Sequence, residues 1–213
     1  MKPFEGFVLN HLCCLDFAHT QPDQPFIRGF VMESYTNLPL GRAASLPENP
    51  WGAPLRQLMR QYRRTAGLFT ICEGLPTPDN RVTVDPERRD QWGRPCLHLH
   101  YDWHPNDEQL LAAARNRSVE VLRAAGATEV VPQPYAQVHM MGTARMGADP
   151  AASVVDTTGR THEVDNLYIA GGALFPTGAA VNPTLTILAL AWRTAETVAA
   201  RLGASIDLTG ASP

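Results

Sequence analysis

Apolar residues recur along the chain at two different spacings, and each change of spacing marks an element. Residues 26–35, FIRGFVMESY, read as one strand. The segment NPWGAPLRQLMRQYRRTAGLF opens with turn chemistry, and its Leu55, Leu58, Met59 and Tyr62 follow helical spacing, which predicts a short helix ending near Gly67. Runs 81–84 and 97–103 flank a polar loop and predict an antiparallel pair. HPNDEQLLAAARNRSVEVLRAAGA predicts a longer helix, with Asn106 or Asp107 as its cap and Gly126 just past its end. TEVVPQP reads as a short strand closed by prolines, and NLYIAGGA as an apolar strand running into a double glycine. The last pattern, NPTLTILALAWRTAETVAARLG, predicts a helix with Asn182 as N-cap, Pro183 at its first position and Gly203 past its end. The first 54 residues are rich in Pro and Gly and weakly patterned, and no internal repeat appears.

A chain of 213 residues with this many elements is long enough to bury a core, and 44% hydrophobic against 18% charged residues places it among globular chains. A net charge of -3 gives no basic stripe for a nucleic-acid partner. Cys13, Cys14, Cys72 and Cys96 form no C-x-x-C pair, so neither a zinc site nor a redox pair is expected. The N-terminal apolar run is broken by Glu5, and LTILALAW ends at Arg193, well short of the roughly 20 residues a span requires. A soluble protein of the reducing cytoplasm is expected.

Candidate chemistry is sparse when each residue is taken alone. His139, in VHMMGTARMG, stands at the end of a β-leaning stretch, where a packed structural histidine is the ordinary reading. Asn182 reads as a cap that satisfies orphan N–H groups, although the start of a long helix is also a positive dipole end. Gly171-Gly172 after a strand allow a close backbone approach, yet the chain nowhere contains G-x-G-x-x-G. His98 and His100 share one strand face with His104 nearby, but no fourth ligand is evident and no metal is expected.

The order of these pieces is more specific than any one of them. His139, Gly142-Thr143, Arg145-Met146-Gly147, Asp149-Pro150, Ser153-Val154-Val155-Asp156, Asn166-Leu167-Tyr168, Phe175-Pro176-Thr177 and Asn182-Pro183 follow one another over some 60 residues. In that order they resemble the C-terminal signature of the glucose–methanol–choline (GMC) family of FAD-dependent oxidoreductases. The upstream run LPTPDNRVTVDPERRDQWGRPCLHLHYDWHPND is similar to bacterial polyol, sugar-acid and alcohol dehydrogenase-like members.

The resemblance implies oxidation of an alcohol CH–OH group with hydride transfer to flavin N5. His139 matches the family's active-site base and Asn182 its partner position. Gly171, Gly172 and Ala173 match the segment that passes the FAD phosphates, where many members carry an acid before the glycine. Val181, Pro183 and Thr184 match the flavin-edge segment. The implied fold is α+β: an antiparallel substrate-domain sheet with helices, plus the C-terminal strand and helix of an incomplete, Rossmann-like FAD-binding domain. The implied domains are residues 1–138 for substrate binding and 139–204 for the C-terminal part of the FAD domain with the active-site residues, followed by a tail over 205–213. The implied partners are a small-molecule alcohol and a separate N-terminal FAD-binding chain, because the ADP-binding fingerprint is missing here. From a different functional class, an inactive remnant or non-enzymatic binding module that kept the fold stands as the alternative.

Overall fold

A computed structural model describes residues 12–35, 39–44, 46 and 50–204. These comprise strands β1 (Cys13–Cys14), β2 (Phe30–Tyr35), β3 (Gly67–Cys72), β4 (Arg81–Arg89) and β5 (Pro95–His100), with helices α1 (Pro39–Ala44), α2 (Ala53–Arg60), α3 (Pro105–Ala124) and α4 (Thr184–Arg201). The architecture is α+β with antiparallel sheets. The chain divides into two compact units, one built from residues 1–73 and 105–136, the other from 74–104 and 137–213.

In the first unit β1, β2 and β3 form an antiparallel sheet in that order, with Phe30 opposite Cys72 and Tyr35 opposite Gly67. Helix α3 packs on it. Its Leu110 and Ala114, four apart on one face, close over Phe26, Phe30 and Met32 to make the core. Acidic Asp107 and Glu108 in the first turn and Arg123 in the last suit the helix dipole. Gly126, at φ +91°, ends the helix in a Schellman motif: Ala127 N–H bonds the Leu122 carbonyl and Gly126 N–H that of Arg123. Neither Asn106 nor Asp107 is the cap, because the helix already starts at Pro105, whose fixed φ suits a first turn. The Asn106 side chain instead clamps Ile27, accepting its N–H at 2.8 Å and donating to its carbonyl at 3.2 Å. Burial pushes the Cys72 thiol up to about 12, with Asp107 adding to the effect, so this cysteine is inert.

Helix α2 stops at Arg60, followed by a 3₁₀ turn over Tyr62–Arg64, and the expected run of helix to Gly67 is cut short. The residues beyond, GLFTIC, are strand β3, to which the sequence reading assigned no element. Their pairing partner is β2, more than thirty residues upstream, and local spacing carries no trace of it.

In the second unit β4 and β5 form the expected hairpin, with β4 running on to Arg89 and β5 shifted toward the tip, starting at Pro95 and ending at His100 instead of Trp103. Val82 faces Leu99 and Val84 faces Leu97 on one side; Thr83 faces His98 on the other. Asp90 closes the tip by accepting from the N–H groups of Trp92 and Arg94 and from Arg94 Nε. Residues 128–134 are not a strand, since Pro132 and Pro134 supply no N–H for a ladder. Residues 166–170 likewise fall short of one. They touch residues 159–161 through an isolated Arg160–Tyr168 bridge and bonds from Ile169 N–H to the Gly159 carbonyl and from Thr161 N–H to that of Leu167.

Gly159 is where this loop region meets α4. It sits at φ +86°, and a methyl group added to it would lie 2.7 Å from both the Ile169 carbonyl oxygen and Thr194 Oγ1. Thr194 is buried and donates back to the Leu190 carbonyl, so it cannot swing aside freely. Gly159→Ala is therefore expected to destabilise the chain by about 2–4 kcal/mol, combining backbone strain with overpacking. Urea unfolding measures this, and a change below about 0.5 kcal/mol would contradict the close packing described.

Candidate active site

Three segments of the second unit converge: the loop after His139, the double glycine, and the first turn of α4. Gly142 donates its N–H to the Gly172 carbonyl (3.2 Å), Ala144 to that of Ala173 (2.9 Å) and Met146 to that of Leu174 (2.8 Å). A methyl group on Gly172 would meet Met141 Cγ at 3.4 Å and Ile187 Cδ1 at 3.6 Å, so loop, glycine and helix touch at one point.

His139 stands at the head of this loop with φ +56°. Among the described residues only Arg28 shares such a left-handed backbone without being glycine. The conformation costs roughly 1–2 kcal/mol for an ordinary side chain, and strain of this kind gathers at functional sites. The His139 side chain is half-buried, and among the described residues its imidazole makes no hydrogen bond. It is thus held by its backbone while its ring nitrogens stay available.

Gly171 adopts φ +112°, ψ -171°, a region that only glycine enters readily. Nothing lies within 4 Å of where its Cβ would be. The following 3₁₀ turn, Gly172–Leu174, leaves the N–H groups of Gly172 and Ala173 without an acceptor among the described residues. An open glycine face followed by two N–H donors without an acceptor is a feature suited to an anionic oxygen such as a phosphate.

Helix α4 starts at Thr184, and Pro183 occupies the cap position with no side-chain bond. The expected frame, with Asn182 as cap and Pro183 as first helical residue, is one place too early. Pro183 accepts the Ile187 N–H at 2.9 Å through its carbonyl, which a cap residue does, and Asn182 is left outside the helix. Val181, Asn182 and Thr184 are exposed and Pro183 is half-buried. The far end behaves as expected, with Gly203 at φ +71° closing a second Schellman motif.

The chain around this junction is pinned by Asp156, one of the signature positions in the sequence, and by His162, which did not stand out there. Partial burial pushes the Asp156 carboxyl up, but hydrogen bonds from the Thr158 hydroxyl and N–H and from Arg160 outweigh it and hold it below the usual carboxylate range. His162 Nε2 lies 3.0 Å from Ser153 Oγ and 3.2 Å from the Gly147 carbonyl. The Ser153 hydroxyl already donates to the Asp149 carbonyl, so the proton between them sits on His162 Nε2. This Ser–His contact is accordingly a brace and not an activated nucleophile. An S/D turn before a histidine six to nine residues on was the available signal for it.

Elsewhere the chemistry is committed to structure. His98 and His100 stack with ring centroids 4.1 Å apart and His100 bonds Thr83, but among the described residues no three His, Cys, Asp or Glu side chains converge to hold a metal ion. A cavity of about 330 Å³ lies toward the C-terminal end of α4. Its Arg160 is paired with Asp156 and Asp165, and its Arg201 donates to the Asp165 carbonyl and the Tyr168 hydroxyl. No described helix is long and apolar enough to cross a membrane.

Comparison with known proteins adds an independent constraint. The family described as GMC oxidoreductase matches residues 76–191. The chain is 32% identical to a 2-methyl-1,2-propanediol dehydrogenase of Mycolicibacterium austroafricanum, over 97% of this chain and 39% of that protein. It is 40% identical to a paromamine 6'-oxidase of Streptomyces fradiae, over 62% of this chain and 25% of that protein. It is 32% identical to a fructose dehydrogenase large subunit of Gluconobacter japonicus, over 77% of this chain and 31% of that protein. The chain thus spans about two fifths or less of the length of these relatives.

Asp156 gives the region a defined acid response. A folded carboxyl held below its unfolded value means that the unfolded chain binds protons first as pH falls. The stability it contributes is present above the unfolded carboxylate range and is lost as pH drops through the folded value. Asp156→Asn is expected to flatten the acid limb of a stability-against-pH curve between about pH 5 and 2. An acid limb identical to wild type, measured by thermal melts, would remove Asp156 from this role.

Proposed function

The chain belongs to the GMC oxidoreductase family, and from that premise we propose that it is the C-terminal, catalytic portion of an FAD-dependent enzyme oxidising the CH–OH group of a sugar, polyol or other alcohol. Its relatives carry names of dehydrogenases and oxidases acting on such compounds, which supports oxidation of an alcohol as the reaction class. The observation that carries the reading is the pairing of a strained, uncommitted His139 with the glycine cradle beside it.

In this reading Gly171, Gly172 and Ala173 hold the FAD phosphates through open N–H groups, and Val181, Pro183 and Thr184 line the flavin edge. FAD, when bound, supplies the hydride acceptor at N5. His139 takes the proton of the substrate hydroxyl at a ring nitrogen, as a general base working near neutral pH. Asn182 donates its amide hydrogen bond to the same oxygen and so fixes the carbinol carbon for transfer. Residues 1–138 shape the substrate side and residues 139–204 complete a Rossmann-like FAD domain, while the expected tail, 205–213, lies outside the described residues. The ADP-binding fingerprint comes from an N-terminal FAD-binding polypeptide, and the assembled enzyme works in the cytoplasm.

Two variants of the flavin-loaded protein containing this chain test the assignment. His139→Ala is expected to slow anaerobic flavin reduction by alcohol about 10²–10⁴-fold, the usual worth of a general base. Reduction at the wild-type rate would remove His139 from the mechanism. Asn182→Ala is expected to lower kcat/KM about tenfold, the upper worth of one neutral hydrogen bond, with helix content unchanged because Pro183 is the cap. Loss of helix content with turnover intact would return Asn182 to a purely structural role.

A further inference from the structure

Beside its three backbone bonds, the loop that presents His139 packs on the glycine segments through the side chain of Met141. A methyl group built on Gly178 would lie 3.1 Å from Met141 Cε, and one built on Gly172 would lie 3.4 Å from Met141 Cγ. Met141 is therefore seated against the bare faces of two glycines, one in the cradle and one in the loop that leads to α4. The same Gly172 position is also within reach of Ile187 Cδ1 (3.6 Å), in the first turn of that helix. Met140, by contrast, points its side chain into solvent. Directly after Met141, Gly142 makes the first of the three backbone bonds to the glycine segment.

We propose that Met141 is the positioning residue for His139: its thioether chain fills the space left by Gly172 and Gly178 and holds the strained backbone two residues upstream in register with the cradle. This rests on the role given to His139 above. The seat depends most on Gly178, where any side chain would press on the Met141 methyl at 3.1 Å, while at Gly172 the methionine lies at contact distance, 3.4 Å. An unbranched, three-bond side chain suits such an irregular gap. Residue 141 thereby couples the imidazole to the glycine segment, because the Gly172 it packs on opens the turn whose first two N–H groups have no acceptor among the described residues.

Backbone observables test this apart from catalysis. In Met141→Ala, amide exchange at Gly142 and Ala144 is expected to rise roughly tenfold or more, and the HN–Hα coupling of His139 to move away from its wild-type value, while α3 amides stay unchanged. Gly178→Val, which pushes Met141 out of its seat without deleting it, is expected to give the same pattern and serves where the alanine variant fails to fold. Met141→Leu is expected to restore wild-type values. In the flavin-loaded protein, Met141→Ala is expected to lower kcat about 10²-fold, the scale of an ångström-sized misplacement, with KM within about twofold. Wild-type exchange at Gly142 and wild-type His139 coupling in both Met141→Ala and Gly178→Val would overturn the proposal. A uniform rise in exchange across the second unit would overturn it too, by reducing Met141 to general packing. The base role of His139 is judged separately, on flavin reduction by His139→Ala, which the exchange measurements do not involve.

Discussion

Three backbone hydrogen bonds, from residues 142, 144 and 146 to the carbonyls of 172, 173 and 174, are the constraint on which the site depends. They tie together segments thirty residues apart that no strand pairing joins. At roughly 1 kcal/mol each they outweigh the 1–2 kcal/mol of a single left-handed residue, so His139 can be kept at φ +56°. Without them the loop would relax toward ordinary backbone and the imidazole would lose its fixed origin.

The remaining structure of the second unit serves that junction from below. Helix α4 lies on Gly159 through Thr194, and Asp156 folds the turn before Gly159 by gathering three donors on one carboxylate oxygen. Ser153 and His162 hold the segment that starts at Gly147. These groups are polar and local, and they bond chiefly to one another and to nearby backbone. Among the described residues, the His139 ring and the N–H groups of Gly172 and Ala173 have no hydrogen-bond partner, in contrast to this braced scaffold. The proposed alcohol chemistry needs just those two resources, a base and an anion cradle.

Periodicity and cap chemistry made α3, α4 and the β4–β5 hairpin legible, because each is decided by residues close in sequence. Gly126 and Gly203 were read correctly as helix ends for the same reason. Strand β3 went unread since its partner β2 is remote. The start of α4 was misframed by one residue, as Asn182-Pro183 fits two adjacent frames equally well. At the site, residue order across 139–183 exposed the family, whereas local pattern favoured a bland His139 and a bland Asn182. Nothing in a histidine's neighbours announces a positive φ. The role of Met141 was hidden likewise, because glycines 172 and 178 become its seat only when the chain has folded.

The central claim is that His139 is a base facing a flavin held by the adjacent glycine cradle. A crystal structure of the FAD-loaded protein containing this chain, with an alcohol bound, tests it most directly. The account predicts the substrate hydroxyl within hydrogen-bond reach of a His139 ring nitrogen, about 2.6–3.2 Å, and a flavin phosphate or ring oxygen on the N–H groups of Gly172 and Ala173. An imidazole turned away from the flavin, or a cofactor bound without contact to residues 171–173, would contradict it.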